Sequence, residues 1–171
     1  GHFAVFNIEE NENQCRLELW DLKKKERLSF SRSTLCAEIP AVSDGGLVVF
    51  VSADSSISSY DTHTGKLDDK FVANLPAAPI KTVPAHGTFQ FSPRDVLYFS
   101  YGSLGLYHLY VLKQGELIPI NKDAASGKIY FMPGSDNPGL ITGGAGSHQI
   151  IFFNAIDNFS SYKIFDLLLF F

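Results

Sequence analysis

Residues 47–67 read LVVFVSADSSISSYDTHTGKL. Residues 47–52 are apolar and rich in Val and Phe, which predicts a buried strand. Residues 53–56 form a polar tight turn around Asp54. Residues 57–60 resume as a strand that ends in Tyr60-Asp61, 61–65 turn again on Thr-Gly, and Lys66-Leu67 open a third strand. A short stretch thus spells strand, turn, strand, turn, strand.

The same order recurs on both sides. Upstream, residues 3–8 (FAVFNI) predict a strand, 9–13 (EENEN) a polar turn, 16–22 a strand containing Trp20-Asp21, 23–26 a turn and 27–31 a third strand. A short strand at 35–39 is closed by Pro40, and the turn signal Ser43-Asp44-Gly45-Gly46 leads into the central stretch. Downstream, 75–84 is a Pro- and Ala-rich connector with one short strand predicted at 80–83. Strands follow at 89–91, 96–100, 106–112 and 116–120, then at 128–132, 139–143 and 149–154. The apolar tail IFDLLLFF at 164–171 reads as a further strand whose neighbours lie outside the chain.

Laid on one another, the strand ends place Trp20, Tyr60, Tyr110 and Phe153 in one column, at spacings of 40, 50 and 43 residues. Three residues before each stand Leu17, Ile57, Tyr107 and Ile150, all apolar. Asp follows the aromatic in the first two units (Asp21, Asp61); Val111 and Asn154 stand there in the others. This column, with the turn Phe91-Ser92-Pro93-Arg94-Asp95, resembles the WD40-repeat family, Tyr60-Asp61 standing where that family has Trp-Asp. The resemblance implies an all-β fold of β-propeller blades, each of four antiparallel strands. About four WD40-like repeats, at roughly 1–33, 34–74, 75–123 and 124–171, then make one partial propeller domain over residues 1–171, part of a larger ring. The packing reason is that a blade cannot bury both faces alone and must stack on its neighbours. The family's His–Ser–Asp–Trp network is mostly missing: Asp54 and Ser52 are present, but no Gly-His precedes them, and His86-Gly87 is reversed. Short strands at regular spacing also describe a β-sandwich, and a quinoprotein-like propeller stands beside the WD40 type.

Composition narrows the function. Hydrophobic content of 45% against 19% charged excludes a disordered chain, and fifteen Phe with seven Tyr favour strands. A net charge of −4 gives no electrostatic footprint for nucleic acid; the one basic run is Lys23, Lys24 and Lys25, read as a solvated hairpin tip. Cys15 and Cys36 are expected to be unpaired thiols of an intracellular protein. Asn158-Phe159-Ser160 is a lone glycosylation sequon. None of the five His stands at metal-ligand spacing, so no metal and no cofactor is expected. Gly143-Gly144-Ala145-Gly146 lacks the Lys-Ser/Thr of a phosphate loop, and no nucleophile elbow exists.

The expected function is therefore a non-enzymatic scaffold that binds other proteins of a multi-subunit complex. Resemblance to WD-repeat proteins points to a nuclear or nucleolar assembly such as the ribosome-biogenesis machinery. The alternatives are a vesicle-coat or ubiquitin-ligase adaptor, a quinoprotein-like propeller enzyme, and an extracellular module with Cys15 and Cys36 bridged and Asn158 glycosylated. No run is long and apolar enough for a membrane span. Equivalent turns should share one end of the ring, so Glu9, Glu10, Glu12 and Asp54 predict an acidic docking end. The Lys23, Lys24 and Lys25 turn predicts a mildly basic opposite end, to which any RNA contact falls.

Overall fold

Strict alternation along QCRLELWD builds a strand with one dry face: Cys15, Leu17, Leu19 and Asp21 are buried, while Arg16, Glu18 and Trp20 on the other face are half-buried. The same logic repeats through the chain. The computed structural model describes residues 2–12, 14–28, 30, 33–36, 38–78, 80–113, 115–124, 128–142, 148–155 and 158–167. All regular structure among the described residues is β, so the protein is an all-β fold, and no helix there is long and apolar enough to cross a membrane.

Four sheets follow one another in chain order. Sheet I holds β1 (Phe3–Asn11), β2 (Gln14–Asp21), β3 (Glu26–Arg27) and β4 (Ser33–Leu35); β3 and β4 both pair with β2, at its two ends. Next come β5 (Glu38–Ile39) and sheet II, a meander of β6 (Ala41–Val42), β7 (Leu47–Val51), β8 (Ser56–Asp61) and β9 (Lys66–Asn74). Sheet III is the meander β10 (His86–Phe91), β11 (Leu97–Ser103), β12 (Leu106–Lys113) and β13 (Glu116–Ala124), with β5 added in parallel at the edge of β10. Sheet IV runs β14 (Tyr130–Phe131), β15 (Pro138–Thr142), β16 (His148–Phe153) and β17 (Tyr162–Leu167).

The sheets stack face to face in that order. Leu17, Leu19 and Phe30 meet Val48 and Phe50 between sheets I and II. Val49, Val51 and Ile57 meet Leu97, Phe99 and Leu112 between II and III. Tyr98, Leu109 and Val111 meet Ile129, Leu140 and Phe153 between III and IV. Neighbouring residues of a strand point to opposite faces, so Val48 and Phe50 serve one interface while Val49 and Val51 serve the next. That is why residues 47–51 form an unbroken apolar run. A strand dry on both faces cannot alternate with polar residues.

Two sequence expectations are corrected. Residues 80–83 make a turn, with the Val83 N–H donating to the Ile80 carbonyl, and not a strand. The cysteines are not free: Cys15 and Cys36 form a disulfide with Cα atoms 5.1 Å apart. The expectation of free thiols put them on strands of different units. In fact the outer strand of sheet I is broken, and its second piece, β4, returns to β2 with Thr34 opposite Cys15. Sheet I accordingly reaches Leu35. The Thr34 hydroxyl, itself buried, donates to the Val51 carbonyl and ties this return strand to sheet II.

Candidate functional site

Hairpin connections sort the residues singled out from the sequence onto two ends of the stack. At one end lie the β1–β2 and β7–β8 turns. Glu12 is exposed in the first of these, while Glu9 and Glu10, expected in a turn at 9–13, are exposed at the end of β1, with the Glu10 carboxylate 3.1 Å from the Arg16 guanidinium. Asp54 is spent on its own turn: its carboxylate accepts from the Ser56 N–H at 3.0 Å and the Ser56 hydroxyl at 2.6 Å, which holds it below the usual carboxylate range. The equivalent β11–β12 turn projects Leu104, 77% exposed. The expected fourth turn, 143–147, lies outside the described residues.

At the other end the turns interlock. Asp21 accepts from the N–H groups of Lys23 and Lys24, both at 3.0 Å, and Asp61 accepts from His63 at 2.7 Å and Thr64 at 3.4 Å. These backbone donors depress both carboxyls. The Asp that follows the aromatic therefore closes the turn as its main structural task. The His63 ring reaches the Gly45 carbonyl at 2.9 Å, coupling two turns of sheet II. Asp136 accepts from the Ser92 hydroxyl at 2.6 Å and the Arg94 N–H at 3.1 Å, while its carbonyl accepts from the Tyr98 hydroxyl at 2.8 Å, coupling sheet IV to sheet III. Beside this knot an open hollow of about 430 Å³ is lined by Arg94, Lys113, Asn137 and Phe159, among others. The Lys113 ammonium lies 5.7 Å from the centre of the Phe159 ring.

The charge at this end differs from the expected basic one. Lys23, Lys24 and Lys25 are exposed, but Lys24 pairs with Asp21 at 3.7 Å and Glu26 at 3.6 Å, and Asp44, Asp61, Asp95 and Asp136 stand on the neighbouring turns. It is a mixed-charge surface.

The four aromatics all lie on the third strand of their sheets, counting β1 and β2 as the second and third strands of sheet I. Trp20 faces Ala4 and Arg27 across the ladder, and Tyr60 faces Val48 and Leu67, the same place in each hairpin. Tyr110 sits two residues deeper, since Leu112 holds the place equivalent to Tyr60, opposite Leu117. A shift of two residues keeps the same face. Phe153 pairs with Tyr162 at the end of β16. Tyr110 and Phe153 are buried, while Trp20 and Tyr60 are half-buried.

Sequence reasoning missed Glu38. It is only 4% exposed, its Oε2 has no hydrogen-bond partner, and burial pushes its carboxyl up to about 7. The Asn7 side-chain amide donates to the Glu38 carbonyl at 2.8 Å, and Asn7 Oδ1 is itself buried and unpartnered. Gly87, paired with Glu38, has no Cβ; one there would strike the Phe99 ring at 2.5 Å and the Glu38 side chain at 3.2 Å. Burial and the Glu38 charge raise the Tyr101 hydroxyl; burial and Tyr101 raise Tyr110, whose hydroxyl lies 3.3 Å from His108 Nδ1. Buried Glu38, Tyr101 and Tyr110 and half-buried His108 thus form a polar string along sheet III. Nothing in spacing announced it, because Glu38 stands alone in a short apolar run. Among the described residues, no three His, Cys, Asp or Glu are grouped to hold a metal ion.

No family profile and no curated protein matches the chain. Among solved structures, BamB from Moraxella catarrhalis is similar over 96% of this chain, at 11% identity and a TM-score of 0.35. The match covers 58% of that protein, so the chain spans little more than half its length.

Proposed function

We propose that the chain is a non-enzymatic interaction module of β-propeller type. Its four sheets act as blades, and its turn ends act as docking surfaces. The observation that carries this is the stack: four consecutive antiparallel units, each packed on the one before it in sequence. WD40 character rests on the pairs Trp20-Asp21 and Tyr60-Asp61. The acids of those pairs and Asp54 are engaged in turns, which leaves Glu9, Glu10 and Glu12 as the exposed anionic group, Glu10 sharing its charge with Arg16. Charge reversal at those three Glu, compared with reversal at Lys23, Lys24 and Lys25, tests the reading in a pull-down from the native source. The Glu triple is expected to weaken capture of a basic protein partner more than about tenfold, since rim charges steer association. Unchanged capture by both triples would remove the turn ends as docking surfaces.

The disulfide favours a second element of the reading. Bridged cysteines belong to oxidising compartments, so the bridge supports an extracellular or secretory-lumen module over the nuclear, ribosome-biogenesis setting. Asn158 is exposed on the 154–161 turn with φ of 56°, while Phe159 packs edge-on against Tyr98 at 6.2 Å. On passage through a secretory pathway Asn158 is expected to carry a glycan. Glycosidase treatment should then shift the wild type on a gel and leave Asn158→Gln unmoved. A wild type that keeps its disulfide and shows no shift would count against the secretory setting.

A further inference from the structure

Four connections meet around the hollow beside Asp136. Arg94 and Val96 come from the β10–β11 turn, Lys113 from the end of β12, Asp136 and Asn137 from the β14–β15 turn, and Phe159 from the 154–161 turn. Sheets III and IV both contribute, and the site needs only their mutual packing. Its volume of about 430 Å³ falls in the range of small-molecule sites, about 300–1,000 Å³.

The charge of the hollow is one-sided. Asp136 is the single acid among the described lining residues, and its Oδ1 already accepts from the Ser92 hydroxyl and the Arg94 N–H. Two cations stand against it. The Arg94 guanidinium is 75% exposed and comes no closer to Asp136 Oδ2 than 3.8 Å. The Lys113 ammonium is paired with no carboxylate among the described residues and lies against the Phe159 ring. Asp95 and Glu116 line the neighbouring hollow instead, which shares Lys113 with this one. The lining therefore carries a surplus of one positive charge. Asn137 adds donors: its Oδ1 accepts from the Ala155 N–H at 2.9 Å, which leaves its NH2 group as the half without a partner among the described residues.

The apolar part of the lining is held under strain. Phe159 has φ of 66°, and Asn158 before it φ of 56°. Bulky side chains rarely enter the left-handed region, and backbone strain of this kind gathers at ligand sites. Here it seats the Phe159 ring edge-on against Tyr98 at 6.2 Å, with the Phe159 N–H donating to the Asn154 carbonyl at 2.8 Å. We propose that this hollow binds a carboxylate that carries an apolar body, the body on Phe159, Tyr98 and Val96 and the carboxylate between Arg94, Lys113 and the Asn137 amide. A guanidinium meets a carboxylate with two parallel N–H donors. A bare inorganic anion would leave the apolar lining unused, and a neutral body would leave the surplus charge unmatched. A free organic acid and an acidic side chain of a peptide present this same chemistry, and the test separates them.

The test is an amide NMR titration of the whole chain with naphthaleneacetate, its neutral counterpart naphthaleneacetamide, and the blocked dipeptide acetyl-Asp-Phe-amide. Saturable shifts are expected at residues 94–96, 113, 134–137, 155 and 159, with a Kd of about 1 mM or tighter for a probe of this size. The acetamide should bind at least about tenfold more weakly, since it brings no charge to the two cations. Arg94→Gln and Lys113→Gln alter exposed side chains, so their spectra should match wild type away from the hollow, and each should weaken naphthaleneacetate by about three- to tenfold. Both carboxylate probes binding here supports the site, and the tighter one names its source, free acid or peptide. The absence of saturable shifts at these residues overturns the proposal. So does equal binding of the acetamide, displacement of naphthaleneacetate by an equal concentration of inorganic phosphate, or binding that both substitutions leave unchanged.

Discussion

Glu38→Gln is expected to stabilise the protein at neutral and alkaline pH while leaving it nearly unchanged at pH 4 to 5. Glu38 sits between sheets, 4% exposed, with Oε2 unpartnered, and desolvation raises its carboxyl from 4.5 to about 7. The unfolded chain ionises the group near 4.5, so below that pH both states hold the proton and nothing is lost. Between 4.5 and about 7 the unfolded state sheds its proton and the folded state does not, and stability falls as pH rises. Above about 7 both are ionised and the loss is complete. A raised carboxyl thus contributes stability at acid pH, opposite to a salt-bridged one. At 1.36 kcal/mol per unit the full loss is on the order of 3 kcal/mol. Glutamine has nearly the same shape and never ionises. Urea midpoints at pH 5 and pH 8.5 check this. A Glu38→Gln gain of the same size at both pH values would show that Glu38 is not the titrating group.

How far the sequence could have led is clear from such particulars. Strands with one dry face, such as residues 14–21, are visible because alternation is a local signal. The two-faced run at 47–51 is equally plain. Hairpins closed by Asp21 and Asp61 were readable from turn chemistry alone. What escaped is non-local. β4 meets β2 at the opposite end from β3, so the pairing of Thr34 with Cys15 has no signature in spacing. Glu38 is buried because β5, which stands between sheets I and II in the chain, pairs at the edge of sheet III, and a lone acid in a short run cannot announce that.

Breaking the Cys15–Cys36 bridge is expected to cost on the order of 3 kcal/mol. The bridge closes a loop with a sequence separation of 21, and loops of that size constrain the unfolded chain by about 3 kcal/mol. The native side of the balance is thin. β4 is three residues long, held to β2 by the pairs Gln14–Leu35, Cys15–Thr34 and Arg16–Ser33 and to sheet II by the Thr34 hydroxyl. So short a strand has little of its own with which to offset the ordering of the segment that returns it. The double variant Cys15→Ser/Cys36→Ser and the reduced wild type should show the same lowered urea midpoint. Both should also show faster amide exchange in residues 33–35 than in residues 97–103, which are buried throughout β11. Agreement between the two is the check, because serine alters the local contacts and reduction does not. A reduced wild type, its free thiols confirmed by alkylation, that unfolds at the oxidised midpoint would show that β4 holds its place without the bridge. The oxidising compartment would then lose its physical argument as well.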